Sequence, residues 1–236
     1  ASEGTVFYTT DGTDPRSPIE INVLSSRELI FDGASKRVFI PTGSNGGPAV
    51  SDAWRGGSTF DDSGWIAGTG GVGYENSSGY ENFIDIDVQN EMSGESTSAF
   101  IRVPFTMTAS DIASINFLTL SMRYDDGFAA YLNGELIASA NAPVDPDWAS
   151  GATGQNDDAA AVVFTGFDVT QHLSAMRSGQ NILAIQGLNL GFGSSDFLVD
   201  MEISALASDG KAEVVSQPRV VTADRQTAKI KSGEEI

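Results

Sequence analysis

Closely spaced carboxylates are the groups best placed to do chemistry in this chain: Asp61/Asp62, Asp85/Asp87, Asp125/Asp126 and Asp157/Asp158. Two carboxyls facing each other across a sugar, roughly 5 to 9.5 Å apart, would cleave a glycosidic bond. Neighbours within a turn rarely face each other that way. Their ordinary role is to accept hydrogen bonds from nearby backbone N–H groups. Nucleophilic chemistry has less support. His172 is the one histidine, it stands beside Leu173 in a short helical turn, and no Gly-x-Ser-x-Gly elbow accompanies it. It reads as a packed surface residue. With no cysteine and one histidine, a zinc site lacks its ligands.

Calcium asks only for hard oxygen ligands. Asp61 and Asp62 lie in a glycine-rich stretch, with Glu75 close behind, and these three are the candidate metal ligands. No fixed-spacing calcium motif frames them. Sugar recognition needs an aromatic face for the C–H side of a ring and a few polar groups for its hydroxyls. Trp54, Trp65, Tyr74, Tyr80 and Trp148 fall in predicted loops, and Arg55 and Arg102 supply donors. Trp148, in Pro146-Asp147-Trp148-Ala149, is the ring expected to be most exposed. Trp65 and Tyr74 have an alternative reading, as a small satellite core beneath the glycine-rich loop.

Short strands punctuated by turns must hold these residues. Lys36–Pro41, Phe100–Phe105, Phe117–Arg123, Asp157–Thr165, Asn181–Leu188 and Phe197–Leu206 read as strands. Thr108–Ile112 and Phe167–Leu173 read as single helical turns. The run from Gly56 to Gly79 is too rich in glycine for a helix and reads as a long shaped loop. Asp125-Asp126-Gly127 and Asn133-Gly134 read as the two turns of one antiparallel meander, with Phe128, Ala130 and Leu132 on one face and Ala129 and Tyr131 on the other. No sustained 3.6-residue apolar period occurs, so no helix longer than about three turns is expected.

Composition sets the outer bounds. The chain has 236 residues, 40% of them hydrophobic, 26 glycines and no cysteine, which suits a large sheet protein without disulfides. Net charge is −19, and the last 28 residues balance five acids with five bases, so the whole excess lies before Asp209. That field repels nucleic acid and anionic lipid surfaces. No apolar run approaches the roughly 18 residues of a membrane span, so no membrane insertion is expected. A secretion signal is not read in Ala1-Ser2-Glu3-Gly4.

The stretch Tyr124-Asp125-Asp126-Gly127 through Tyr131-Leu132-Asn133-Gly134 resembles the strand–turn–strand signature of galactose-binding-like jelly-roll modules. Phe60-Asp61-Asp62-Ser63-Gly64-Trp65, Gly70-Gly71-Val72-Gly73-Tyr74-Glu75, Asn181-Ile182-Leu183-Ala184-Ile185 and Ser194-Ser195-Asp196-Phe197-Leu198 extend the resemblance. Together they are similar to a module of large secreted or surface proteins of planctomycete and verrucomicrobial type. There it accompanies lamin-tail, spore-coat-kinase-like and chitobiase-C-terminal-like domains. The resemblance implies an all-β jelly-roll sandwich, often with a structural calcium in a loop. Val6–Arg16 resembles the end of the small Ig-like domain of chitobiases. Gly210–Asp224 and Ala228–Ile236 resemble the start of the barrel domain of pilus and type II secretion secretins.

The expected organisation is therefore a remnant over residues 1–18, a jelly-roll sandwich over 19–207, and an extended or poorly ordered secretin-like tail over 208–236. The expected function is a non-catalytic accessory module of an exported bacterial protein, binding a glycan. Its partners would be that glycan, or another surface component, and neighbouring domains. Its setting would be extracellular or at the cell surface. The alternatives are a structural or adhesion spacer without a small ligand and, second, a hydrolase acting through Asp or Glu.

Overall fold

A computed structural model describes residues 22–212. The expected remnant over 1–18 and the part of the tail beyond residue 212 lie outside the described residues. Among the described residues there are twelve strands: β1 (Asn22–Ile30), β2 (Lys36–Phe39), β3 (Ile66–Gly68), β4 (Val72–Glu75), β5 (Ile86–Asp87), β6 (Ser98–Met107), β7 (Ile115–Asp125), β8 (Gly127–Leu132), β9 (Glu135–Ala140), β10 (Thr165–Asp168), β11 (Gly179–Leu188) and β12 (Asp196–Ala212). The longest described helical segments have six residues. The architecture is an all-β jelly-roll sandwich. One sheet has the order β10-β7-β12-β4-β5, with β1 also on β12, and the other has the order β3-β2-β6-β11-β8-β9. Leu24–Asp209 forms one compact unit.

Period-two alternation decides what lies between the sheets. On β6, Ala99, Ile101, Val103, Phe105 and Met107 turn inward, as do Leu183 and Ile185 on β11 and Leu118, Leu120 and Met122 on β7. Full burial of such a side chain contributes about 1.5–3 kcal/mol. The opposite face of the second sheet is also apolar. Trp54, Phe100, Ala129, Tyr131 and Ala184 form a second cluster there, with Phe39, Phe60, Trp65 and Trp148 packed against it. Strand β8 feeds both layers: Phe128, Ala130 and Leu132 enter the inter-sheet core, and Ala129 and Tyr131 enter the outer cluster.

The meander is half as expected. Asn133 (φ 51) and Gly134 (φ 93) close a hairpin between β8 and β9, the left-handed pair that a primed turn demands. Asp125-Asp126-Gly127 is not a hairpin turn. There the chain leaves one sheet and enters the other, since β7 pairs with β10 and β12 while β8 pairs with β9 and β11. The left-handed pair that marks the hairpin is absent at the crossing, where neither Asp126 nor Gly127 has a positive φ; an Asp-Gly pair permits a primed turn without requiring one. Gly127 is required by close approach: a Cβ there would meet the Asn141 carbonyl oxygen at 2.7 Å.

Other expectations shift at their edges. Asp157–Thr165 is not a strand. It holds the helical turn Asp158–Ala161, and the strand, β10, begins at Thr165. The long glycine-rich loop is interrupted by two strands, β3 and β4. The Thr108 turn is a helix over Ala109–Ser114, closed by a reciprocal capping box between Thr108 and Asp111.

Candidate functional site

The candidate ligand face is the outer side of the second sheet, beneath the segment that joins β2 to β3. That segment makes a short 3₁₀ helix, Asp52–Arg55, which drives Trp54 into the outer cluster. The Trp54 ring stacks on Phe100 at 4.2 Å and meets Tyr131 edge-on at 6.2 Å. Arg55 leaves the same turn and lies over the Tyr131 ring, 4.7 Å from its centroid. It donates to the Pro146 carbonyl at 2.8 Å and pairs with Asp52 at 3.4 Å and Asp145 at 3.9 Å. A cleft of about 290 Å³ opens here, lined among others by Trp148, Asp52, Arg55, Asp145 and Asp147. Trp148 is half-buried: part of its ring packs on the outer cluster and part remains open.

A second cleft, of about 480 Å³, opens beside it. Arg102 on β6 joins the two, because its guanidinium donates to the Trp54 carbonyl oxygen and lines the second cleft. The same guanidinium pairs with Asp62 at 2.6 Å and lies 5.1 Å from the Phe60 ring centroid. Arg37 on β2 and Arg177 before β11 line this cleft too.

Of the expected ligand residues, the fold gathers Trp54, Arg55 and Trp148 around the first cleft and places Arg102 in the second. Trp54, Tyr74 and Tyr80 are at most 2% exposed, so none of them offers a ring face. This corrects the expectation of loop-borne rings: large aromatics flanked by glycines are worth more as packing than as platforms. Tyr74 stacks on Phe197 in the inter-sheet core and donates its hydroxyl to the Ser194 carbonyl at 3.1 Å. Tyr80 belongs to a separate cluster with Ala161 and Leu198. Trp65 is half-buried between Phe39 and Phe60, each 5.4 Å away.

The three candidate calcium ligands do not converge. Asp62 is engaged by Arg102. Asp61 is exposed and accepts from the Ser63 N–H at 3.0 Å, and the Ser63 side chain, with that N–H, holds its carboxyl below the ordinary carboxylate range. Glu75, on the other sheet, accepts from the Ser77 N–H at 2.8 Å and hydroxyl at 2.9 Å. Among the described residues no group of three or more Asp, Glu or His is arranged to hold a metal ion. His172 meets Glu135 across 2.6 Å rather than a serine.

The most perturbed carboxyl lies away from both clefts. Asp125, 3% exposed at the sheet-to-sheet crossing, is pushed up to about 8 by burial and by Asp126 and Asp196. Its Oδ2 has no hydrogen-bond partner among the described residues, which adds to the cost of the charged form. Asp126 is held locally, accepting from the Leu190 N–H at 2.8 Å. Burial also raises the Tyr80 phenol, with Asp125, Asp158, Asp196 and Glu75 adding to the shift. Neither Asp125 nor Asp126 lines either cleft.

Sequence reasoning missed Arg37, Arg177 and Phe60. A signal for Arg37 was present, since alternation in Lys36-Arg37-Val38-Phe39 puts it on the face opposite Val38. Nothing local marks Arg177. It is fixed by Asn133, whose Oδ1 accepts from both the Arg177 guanidinium and the Ile182 N–H at 2.9 Å. Lys36 was also missed as a buried cation. It lies between the sheets, 3.8 Å from Asp200, its pKa lowered by burial.

No protein-family model matches the chain. A stretch of 53 residues, 22% of the chain, is 43% identical to the fimbrial assembly protein PilQ of Pseudomonas aeruginosa and covers 7% of that protein. Among solved structures, the chain is similar to a Bacteroides uniformis β-glucuronidase 2 (TM-score 0.45, 12% identity, 77% of this chain and 18% of that one). It is also similar to an uncultured Clostridium sp. β-glucuronidase (TM-score 0.44, 10% identity, 81% and 30%). A Ruminococcus gnavus β-glucuronidase aligns at TM-score 0.42 and 15% identity, over 81% and 30%. The chain spans less than a third of each of these solved chains and under a tenth of the curated relative, and the likeness is one of distant fold.

Proposed function

We propose that this chain is a non-catalytic, carbohydrate-binding accessory module of an exported bacterial protein, and that it binds a glycan in the cleft at Trp148. The observation that carries this reading is the composition of that cleft. A half-open indole stands beside the carboxylates of Asp52, Asp145 and Asp147 and the Arg55 guanidinium. An aromatic face with a few convergent polar groups is what a sugar ring needs, one for its C–H side and the others for its hydroxyls. The aromatic layer behind it fixes the indole, so little ordering is required on binding. Partners are the glycan and neighbouring domains, in an extracellular or cell-surface setting. Among the described residues, no helix is long and apolar enough to cross a membrane.

Two of the carboxylate pairs have other roles. Asp61/Asp62 and Asp125/Asp126 serve turns, ion pairs and a buried contact, away from the cleft at Trp148. The test is an array of neutral bacterial and plant oligosaccharides, followed by calorimetry on the ligands retained. Trp148→Ala should weaken binding at least about tenfold, since an aromatic contact of this kind is worth roughly 1 kcal/mol or more beyond burial. Equal binding by Trp148→Ala would displace the site from this cleft. Retention of no glycan at all would favour a spacer, a reading that the burial of Trp54, Tyr74 and Tyr80 also fits.

A further inference from the structure

The second cleft has a charge pattern that a neutral sugar does not require. The chain carries 32 acids against 13 bases. In such a chain a cation readily finds a carboxylate, and most described ones do. Arg27 faces Asp111, Lys36 and Arg123 face Asp200, Arg55 faces Asp52 and Asp145, and Arg102 faces Asp62. Arg37 and Arg177 pair with no carboxylate among the described residues. Their partners are uncharged: Arg37 donates to the Trp65 carbonyl at 3.4 Å and Arg177 to Asn133 Oδ1 at 2.9 Å. Both line the same cleft, together with Arg102. Three guanidiniums against the single carboxylate of Asp62 leave its lining two positive charges in excess, in a chain whose net charge is −19.

We propose that this cleft binds the carboxylate of a uronic acid unit within a glycan. A guanidinium presents a planar fork that matches a carboxylate in a bidentate pair, and Arg37 and Arg177 still have donors to give. The Phe60 ring and Ile182 supply an apolar wall, and Ser58 and Gln180 supply donors and acceptors for hydroxyls. The volume, about 480 Å³, is that of a small-ligand site. Whole-molecule charge narrows the ligand. A dense polyanion such as nucleic acid meets strong long-range repulsion, whereas one carboxylate on an otherwise neutral sugar meets mainly the local field of the cleft. The site is separate from the cleft at Trp148 and does not depend on it.

The experiment is calorimetric titration of the full chain with methyl galacturonide, with methyl galactoside as its uncharged twin and sodium sulfate as a bare oxyanion. The galacturonide should bind at least about tenfold more tightly than the galactoside, the scale of hydrogen bonds to a charged group. Arg37→Gln and Arg177→Gln should each remove most of that preference, and Arg177→Lys, which keeps the charge without the fork, should remove part of it. Each replaced side chain has only an uncharged partner, so melting temperature should barely change and confirms a folded variant. Trp148→Ala should leave galacturonide binding intact, which separates this site from the one proposed above. Equal binding of the two glycosides, or no binding of either, overturns the proposal. So does a folded Arg37→Gln/Arg177→Gln double variant that binds as before. Displacement of the galacturonide by equimolar sulfate would reassign the cleft to simple oxyanions.

Discussion

The outer cleft at Arg37 and the sheet crossing at Asp125 solve opposite problems of like charge. At the cleft, two guanidiniums are left without carboxylate partners at an open surface, where water solvates them and a ligand can replace that water. At the crossing, the adjacent carboxyls of Asp125 and Asp126 are both buried. There burial, with Asp126 and Asp196 nearby, favours the neutral form of Asp125. Equal chemistry thus has two outcomes. Exposed like charge is available for binding, while buried like charge becomes neutral and structural. A perturbed carboxyl is therefore the less useful guide to function in this molecule.

That contrast can be broken at the layer beneath the clefts, where the largest effect is expected. Trp54→Ala removes a ring stacked on Phe100 and should cost about 3–5 kcal/mol, lowering the melting temperature by roughly 10 °C. It should also loosen Arg102, whose guanidinium is held by the Trp54 carbonyl. A loss below about 1 kcal/mol by urea denaturation would mean that the outer cluster is not a true second core.

The crossing is tested by pH. Asp125 titrates at about 8 when folded and near 3.8 as an ordinary aspartate, so the folded state holds the extra proton between these values. Its contribution to stability is complete below about pH 4 and is lost as pH rises through about 8. Burial acts first, and Asp126, Asp196 and Asp158 add to it, all favouring the neutral form. Asp125→Asn carries a permanent neutral donor. It should be as stable as the parent at about pH 4, should exceed it at pH 8.5, and should flatten the fall between them. Parallel thermal profiles for the two proteins would place the proton elsewhere.

A smaller effect is expected at the hairpin that anchors Arg177. Gly134→Val forces a branched side chain to φ 93 and puts its Cβ 3.0 Å from the Gly56 carbonyl oxygen. It should cost about 1 kcal/mol or more. An unchanged midpoint in denaturant would mean that the turn relaxes freely. The smallest effect is reserved for calcium. Because Asp61, Asp62 and Glu75 do not meet, chelation should leave the melting temperature unaltered. A drop abolished by Asp61→Ala would restore the calcium site.

Much of the sandwich was legible in the linear chain. Alternation placed β6, β7, β11 and β12, Asn133-Gly134 fixed a hairpin, and Thr108 with Asp111 marked a helix start. These signals are local, set by backbone sterics and by whether successive side chains face oil or water. Asp125-Asp126-Gly127 gave the right break and the wrong partner, since which sheet a strand joins depends on contacts far away in sequence. The site was less legible. Arg102, Trp148 and Arg55 could be singled out by type, yet whether a ring is a platform or a core residue depends on what covers it, and Trp54 and Tyr80 are covered. Arg37 and Arg177 stand 140 residues apart and meet only because β2, β6 and β11 lie side by side. Composition fixed the sign of the whole molecule's charge. Only the tertiary fold decided which charges are paired, which are buried and neutralised, and which are left open at one cleft, because pairing is a matter of distance in space.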